Sequence, residues 1–115
     1  THFIYSVKDL FSMHVGIDLE EIERFALPRD SAFLTKNFTP QEREYCFAHT
    51  IPEQHLAGLF CAKEAIVKAS PKKVLVEDIE IRHEQGVPVT NIPHVTISIT
   101  HTKTHAAAVA MYNDK

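Results

Sequence analysis

The 115-residue chain is poor in the features that mark exported, membrane-bound or nucleic-acid-binding proteins. It has only two cysteines, Cys46 and Cys61, without a CxxC pair or histidines at zinc spacing, so we expect buried reduced thiols and a cytoplasmic protein. No apolar run approaches membrane-spanning length, and the first residues lack a signal-peptide pattern. The net charge of −3 disfavours general nucleic-acid binding. Neither a membrane nor a nucleic acid is therefore an expected partner.

Repeats, low-complexity segments and linker-like stretches are also lacking, so the length predicts one domain with its own core. The hydrophobic fraction of 44% and the charged fraction of 23% are ordinary for a globular protein. The eight histidines are scattered without an HExxH arrangement, which leaves a transition-metal site as a distant alternative. Among them only His101 attracts a specific hypothesis at this point.

Helices are predicted in the first half of the chain. Val15 and Ile17 indicate a short strand that becomes helix-like after Asp18. Thr39, Pro40 and Glu42 form a capping box with proline at the first helical position, so a helix should run to about residue 49. The next helix should begin near residue 52 and end near residue 70.

Strands are predicted in the second half. The segment "HVTISITH" alternates apolar and polar residues strictly, and "HAAAVAMYN" is a further strand of small apolar residues. A turn is expected at Gly86, and Pro88 restricts the strand that follows it to a short or edge position. The expected fold is α+β, with an N-terminal strand and helices followed by an antiparallel β meander.

The long helix "LAGLFCAKEAIVKAS" carries unexpected charges at Lys63, Glu64 and Lys68. Glu64 and Lys68 lie four residues apart, which is typical of a surface ion pair worth roughly 0.2–0.5 kcal/mol. The apolar residue Phe60 lies on the same stripe, so the alternative is a pair at the rim of a cleft. Lys63 points about 100° away from Glu64 and need not share its role.

Asp18 and His101 add two further polar groups on other elements. Alone, Asp18 is more simply a helix N-cap, and "SITHTKTH" a solvated turn. Together with Glu64, however, Asp18 would supply two carboxylates for a hard cation such as Mg²⁺, and Lys68 would neutralise phosphate charge. This inventory favours phosphoryl chemistry without establishing it.

These residues occur in segments that resemble a known family. "VGIDLEEIERF", "FTPQERE", "LAGLFCAKEAIVKA", "DIEI", "GVP" and "VTISITHTKTHAAAVAM" follow the order and spacing of the holo-[acyl-carrier-protein] synthases, the small trimeric group of 4′-phosphopantetheinyl transferases. The resemblance covers about residues 15–111. Residues 1–14 are then an extension without an assigned role, and residues 15–115 form the transferase domain.

The resemblance implies transfer of 4′-phosphopantetheine from coenzyme A to a serine of an apo acyl carrier protein, with Mg²⁺ as cofactor and adenosine 3′,5′-bisphosphate as the second product. It implies a homotrimer with active sites at subunit interfaces. It does not identify the carrier, because fatty-acid and polyketide carriers would look alike. By position it assigns the metal to Asp18 and Glu64, catalysis to Asp18, Glu64, Lys68 and His101, coenzyme A contacts to Lys68, Gly86, Pro88, His101 and Thr102, and carrier contacts to Arg24 and Phe25. Glu64 is the candidate base.

Two departures from the family pattern remove positive charge. Leu59 stands where arginine is common in "LAGRF", and Val87 stands where lysine is common in the middle of the Gly-x-Pro turn. They favour one rival interpretation, a catalytically weak or inactive relative that acts as a binding or assembly module. A second rival, independent of the resemblance, is a small α+β ligand-binding or interaction domain whose charges are surface pairs; it predicts no Mg²⁺-dependent affinity for coenzyme A.

Overall fold

The first and last strands of the chain lie side by side in the main sheet. The computed structural model describes residues 13–114, so the predicted extension lies outside the described residues except for its last two. Strand β1 (Met13–Glu21) pairs antiparallel with β5 (His105–Asn113), which pairs antiparallel with β4 (Val95–His101). The β4–β5 hairpin was expected, whereas the pairing of β1 with β5 joins the two ends of the domain.

The helices come between these strands in sequence. After β1 a short 3₁₀ helix covers Ile22–Phe25, followed by α1 (Ala32–Asn37), α2 (Pro40–Phe47) and α3 (Pro52–Ala69). A 3₁₀ turn at Val76–Asp78 leads into a separate hairpin of β2 (Ile81–Glu84) and β3 (Val87–Thr90). Helices and antiparallel strands confirm the predicted α+β class, with two sheets in place of one continuous meander.

Local sequence explains where α2, α3 and the hairpin begin and turn. The predicted capping box is present: Glu42 N donates to the Thr39 hydroxyl, and Thr39 N donates to the Glu42 carboxylate. Proline occupies the first position of both α2 and α3. Gly86 has φ +79° at the β2–β3 turn, a left-handed conformation that glycine adopts without steric cost.

Helix α3 packs across the inner face of the main sheet and forms the centre of the core. Small residues allow a close approach, because Ala106, Ala108 and Ala110 of β5 are all buried beneath the helix. Gly16 of β1 comes closest: a Cβ atom there would lie 2.0 Å from the Ala65 carbonyl oxygen. This contact brings β1 and α3, the two elements with the predicted carboxylates, directly together.

One prediction about β1 was wrong. Residues after Asp18 were expected to be helical, but the strand continues to Glu21 and only Ile22–Phe25 form a 3₁₀ helix. Asp18 is therefore in mid-strand and not at a helix N-cap. The physical reason is non-local, since Asp18 and the three residues after it pair with Ala108 through His105 of β5. Within residues 13–114, no helix has the length and apolarity needed to cross a membrane.

Candidate active site

Strand alternation places a row of β1 side chains against α3. Gly16, Asp18 and Glu20 are the inward positions of β1, whereas Ile17 and Leu19 point outward and are exposed. A helical Asp18 would not have shared a face with Glu20. The corrected strand therefore adds Glu20 to the site, a residue that the sequence interpretation missed. Its alternation with Asp18 at i, i+2 was the signal that a strand assignment would have revealed.

Asp18 and Lys68 form an ion pair between β1 and α3. The Lys68 ammonium lies 3.1 Å from Asp18 Oδ1 and donates to the Ile17 carbonyl oxygen at 2.9 Å. Asp18 is largely covered, with 12% of its side chain exposed, while Lys68 is 53% exposed. The other carboxylate oxygen, Oδ2, is buried and has no hydrogen-bond partner among the described residues. Oδ2 is thus available to a cation, and the nearby Glu20 carboxyl can donate a hydrogen bond to Asp18 only when it is protonated.

Glu20 extends this carboxylate cluster. The pKa of Glu20 is raised to about 7, first by burial, then by a hydrogen bond to Asp18 and by the negative charge of Asp18, with a smaller contribution from Glu64; Arg24 lowers it. Arg24 forms an ion pair with the Glu20 carboxylate. The raised pKa therefore reflects burial of Glu20 first and, in addition, the crowding of carboxylates between β1 and α3. Such crowding is relieved by a bound cation.

The carboxylates of Asp18, Glu20 and Glu64 are suited to a hard divalent cation that needs few protein ligands. Among residues 13–114, no group of three or more histidine, cysteine or acidic side chains forms a ready-made metal site. Mg²⁺ does not require one, because it is commonly held by one or two carboxylates together with substrate phosphates and water. The unpartnered Asp18 Oδ2, beside the carboxylates of Glu20 and Glu64, matches that requirement.

His101 lies at the same end of the sheet. Glu20 of β1 pairs with Ala106 of β5, and Ala106 pairs with His101 of β4. All three side chains therefore lie on the inner face of the sheet. His101 Nδ1 lies 3.0 Å from the Thr102 carbonyl oxygen. Because a carbonyl only accepts, Nδ1 carries the hydrogen, and Nε2 remains for another partner. The Thr102 hydroxyl accepts from the backbone N–H groups of Thr104 and His105 and so shapes the turn that follows β4.

The predicted coenzyme A residues meet around a second feature, a cavity of about 240 Å³ between α3, the β2–β3 hairpin and the end of β4. Its lining includes Gly86, Pro88 and His101, three of the five residues expected to contact coenzyme A. Leu59 also lines it. Lys68 instead lies at the carboxylate cluster. The structure thus divides the predicted site residues into a carboxylate–lysine group and a cavity group.

Lys63 has a different environment from Lys68. Its ammonium is buried and contacts Glu42 Oε1 at 2.6 Å and the Asn37 carbonyl oxygen at 2.8 Å. Glu42 Oε2 accepts from the Ile81 backbone N–H at 2.7 Å. Burial lowers the pKa of Lys63, and the Glu42 carboxylate opposes that shift. This network ties α3 to the start of α2 and to β2, so the charge of Lys63 is structural, as its direction on the helix indicated.

The two residues expected to meet the carrier protein differ in accessibility. Arg24 is exposed on the 3₁₀ helix, with its guanidinium 5.3 Å from the centre of the Phe25 ring. Phe25 is 1% exposed, and its ring packs against Phe33 and Phe60. The expectation that Phe25 contacts a partner does not fit this burial. Phe25 instead packs in the core with its ring beneath the Arg24 guanidinium.

Comparison with known proteins agrees with the fold. The family described as the 4′-phosphopantetheinyl transferase superfamily (ACPS) matches residues 14–111. An α+β domain with a carboxylate–lysine cluster beside a cavity is consistent with that class, and the chain belongs to the 4′-phosphopantetheinyl transferase superfamily.

Individual proteins similar to this chain include holo-[acyl-carrier-protein] synthases and part of a fatty acid synthase. The holo-[acyl-carrier-protein] synthase of Thermodesulfovibrio yellowstonii is 38% identical, over 82% of this chain and 92% of its own length. A segment amounting to 6% of the fatty acid synthase subunit alpha of Saccharomyces cerevisiae is 34% identical over 88% of this chain. The holo-(acyl-carrier-protein) synthase of Bacillus anthracis, solved in complex with CoA (3′,5′-ADP), has 30% identity and a TM-score of 0.69, covering 85% of this chain and 93% of that one.

Proposed function

We propose that this chain is a holo-[acyl-carrier-protein] synthase, which transfers 4′-phosphopantetheine from coenzyme A to a serine of an apo acyl carrier protein. The observation that carries the proposal is the Asp18–Lys68 pair with its buried, unpartnered Asp18 Oδ2. The names of the relatives and the coenzyme A complex of a structural neighbour support it. Coenzyme A is the co-substrate, and the nucleotide leaves as adenosine 3′,5′-bisphosphate.

Mg²⁺ is the cofactor that the carboxylates would hold. Asp18 and Glu64 are the proposed ligands, and Glu20 adds negative charge beside them. When bound, the ion would neutralise the diphosphate and stabilise charge that develops on the leaving group. Lys68, which is half exposed next to Asp18, would orient and neutralise the same diphosphate. His101 offers Nε2 as a further donor to phosphate when protonated.

The chemical step requires removal of one proton from the carrier. The serine oxygen forms a bond to the phosphorus on the pantetheine side of the diphosphate, and the bond from that phosphorus to the bridging oxygen breaks. The electron pair leaves with the nucleotide, and the serine proton passes to Glu64. A carboxylate has two oxygens and about four acceptor positions, so Glu64 can contact a cation and still accept a proton.

The function is tested by intact-mass spectrometry of an apo carrier protein incubated with the chain, coenzyme A and Mg²⁺. We expect a gain of about 340 Da, the mass of one phosphopantetheine group. Glu64→Gln should lose turnover and keep the fold by circular dichroism. An active Glu64→Gln protein would remove Glu64 from the chemistry. No mass gain from folded wild-type protein with several carriers would favour the inactive relative suggested by Leu59 and Val87.

A homotrimer is the proposed assembly, with active sites at the subunit interfaces. The outer face of the main sheet supports it, because Val15, Ile17 and Leu19 are 59%, 66% and 65% exposed in a continuous row, with Met111 beside them. Soluble monomers rarely leave such apolar faces uncovered, and closed symmetric oligomers bury them. Sedimentation should give three times the mass of the 13.0 kDa chain. Val15→Lys should lower the measured mass, and a monomeric wild-type protein would contradict the proposed homotrimer.

Arg24 is the proposed carrier contact, since acyl carrier proteins are typically acidic and Arg24 is an exposed cation. Arg24→Glu should weaken binding of the carrier more than binding of coenzyme A, and equal loss of both would argue against the assignment.

We also propose a cytoplasmic location. The two cysteines, Cys46 and Cys61, are free and buried, and burial raises the pKa of each thiol to about 12, which suits inert reduced side chains.

A further inference from the structure

Four rings from three parts of the fold stack together at the cavity of about 240 Å³. Tyr45 of α2 stacks on His83 of β2, with ring centres 4.2 Å apart and planes 10° apart. His49, which follows α2, stacks on His55 of α3 at 3.8 Å and 26°. Tyr45 also lies 4.7 Å from His49, so the two stacks form one cluster. The sequence interpretation gave none of these three histidines a function.

The cluster forms one wall of the cavity. Tyr45, His55 and His83 line it together with Gly86, Pro88 and His101, and His83 pairs with Pro88 across the β2–β3 hairpin. None of the described residues lining it is a lysine, arginine, aspartate or glutamate. Arg82 and Glu84, the neighbours of His83 on β2, are exposed and pair with each other at 3.5 Å. Histidine is therefore the residue type through which this cavity acquires positive charge near neutral pH.

A site for a nucleotide phosphate would normally require such charge. A phosphate monoester carries about −1.5 to −2 charges at pH 7. In the synthases that these segments resemble, arginine is common at the position of Leu59 and lysine at the position of Val87. Both are absent from this chain. Leu59 is 2% exposed and lines the cavity, and Val87 belongs to the turn that closes it. Two fixed charges are missing beside three histidines whose charge depends on pH.

Hydrogen bonding defines the tautomer of His49. His49 Nδ1 lies 2.8 Å from the Tyr45 carbonyl oxygen. A carbonyl only accepts, so Nδ1 of His49 carries the hydrogen. Burial lowers the pKa of His55, and His49, His101 and His83 lower it further. Burial and His49 lower the pKa of His83 in the same way. The cluster therefore resists protonation until an anion arrives.

We propose that His55 and His83, backed by His49, form a proton-dependent subsite for the phosphate monoester at the nucleotide end of coenzyme A, in place of the missing basic side chains. The inference rests on the proposed function, because it takes coenzyme A as the ligand of this cavity. An anion beside the imidazoles favours their charged form, so binding takes up protons. Affinity consequently rises as the pH falls from 8.5 to 6.5. Below about pH 6 the phosphate itself protonates and the gain ends.

Isothermal titration of the full chain with coenzyme A at pH 6.5, 7.5 and 8.5 tests the subsite. Each titration is run in two buffers of different ionisation enthalpy, which measures proton uptake directly. We expect coenzyme A to bind about tenfold more tightly at pH 6.5 than at pH 8.5, with net proton uptake at pH 7.5. Dephospho-coenzyme A, which lacks the monoester, should show little of either effect.

Two variants separate this subsite from a general effect of histidines. His55→Gln/His83→Gln should remove most of the proton uptake, leaving only the part due to His101, and should weaken the pH dependence of affinity, raising KM for coenzyme A at pH 6.5 more than it lowers kcat. His94→Asn is the matched control, because His94 is exposed outside the cavity and its φ of +67° suits asparagine. It should behave like the wild type.

The outcomes distinguish the subsite from the function beneath it. If coenzyme A binds and the carrier is modified, but proton uptake is absent or persists unchanged in the double variant, the subsite is wrong and the function stands. Tight binding of Zn²⁺ alone that the double variant loses, without pH-dependent binding of coenzyme A, would overturn the anion assignment in favour of a metal site. If coenzyme A does not bind at any pH and no carrier is modified, the proposed function fails and the subsite fails with it.

Discussion

Lys63 and Lys68, five residues apart on α3, each pair with a carboxylate from another element, and the surroundings of the two pairs differ. Lys63 and Glu42 are both buried, and their polar atoms are hydrogen-bonded to each other and to backbone groups of Asn37, Thr39 and Ile81. Lys68 is half exposed, and its partner Asp18 keeps one buried oxygen without a hydrogen bond. The first pair is complete within the chain. The second is incomplete, which is the state expected of groups that bind a ligand.

The difference shows how one helix serves the core and the site at once. Breaking a buried pair leaves an uncompensated charge and is costly, whereas an exposed pair contributes little to stability. Substitutions in the two pairs should therefore have opposite profiles, one affecting folding and the other affecting chemistry.

The largest effect on stability is expected from Lys63→Met. It leaves the Glu42 carboxylate buried without its cation, which should lower the free energy of unfolding by about 3–5 kcal/mol. Urea unfolding followed by circular dichroism measures it. Lys36→Met, at an exposed helical position, is the control and should change stability by less than about 0.5 kcal/mol. A loss below about 1 kcal/mol for Lys63→Met would show that the network does not hold α3 in place.

Lys68→Met should produce the opposite result. We expect kcat/KM for coenzyme A to fall by about a hundredfold or more, because a cation facing the diphosphate is removed. The free energy of unfolding should change by no more than about 1 kcal/mol, since the pair is partly solvated. Initial rates and urea unfolding on the same preparation decide it. Unchanged rates with lower stability would reverse the comparison.

The smallest effect concerns the histidine cluster, which is only partly buried and forms no ion pair with a carboxylate within residues 13–114. Unfolded imidazoles have a pKa of 6.5, and burial lowers the pKa of His55 and His83 in the folded chain. The unfolded state therefore binds more protons below pH 6.5, and stability falls as the pH decreases through that range. The raised pKa of Glu20 acts in the opposite direction in every variant.

The difference between wild type and His55→Gln/His83→Gln removes the contribution of Glu20. Between pH 7.5 and 5.5, the wild type should lose more of its urea midpoint than the double variant does. An identical pH dependence in both proteins would show that the histidines are not desolvated in solution.

Local features of the fold were predictable from the sequence, and so was the family. The Thr39–Glu42 capping box, helix α3 and the Gly86 turn depend on neighbouring residues, and each was confirmed. The helix predicted after Asp18 was wrong because pairing with β5 overrides local preference. Glu20 was missed for the same reason, as its inward position follows only from the strand.

Long-range contacts account for the rest. Glu42 was predicted as a capping residue, but its contact with Lys63 joins positions 21 residues apart and has no local signal. Phe25 was assigned to a surface by position in the family, whereas three-dimensional packing places it among Phe33 and Phe60. The ring cluster combines residues from three elements and was likewise hidden. The roles of the site residues remain predictions that the variants above address.

The most direct test of the incomplete pair is intact-mass spectrometry of an apo acyl carrier protein incubated with coenzyme A, Mg²⁺ and either wild type or Asp18→Ala. The account predicts a gain of about 340 Da with the wild type, and none with a folded Asp18→Ala protein over the same time. Conversion of the carrier by Asp18→Ala at the wild-type rate would contradict the assignment of the active site to Asp18 and its unpartnered oxygen.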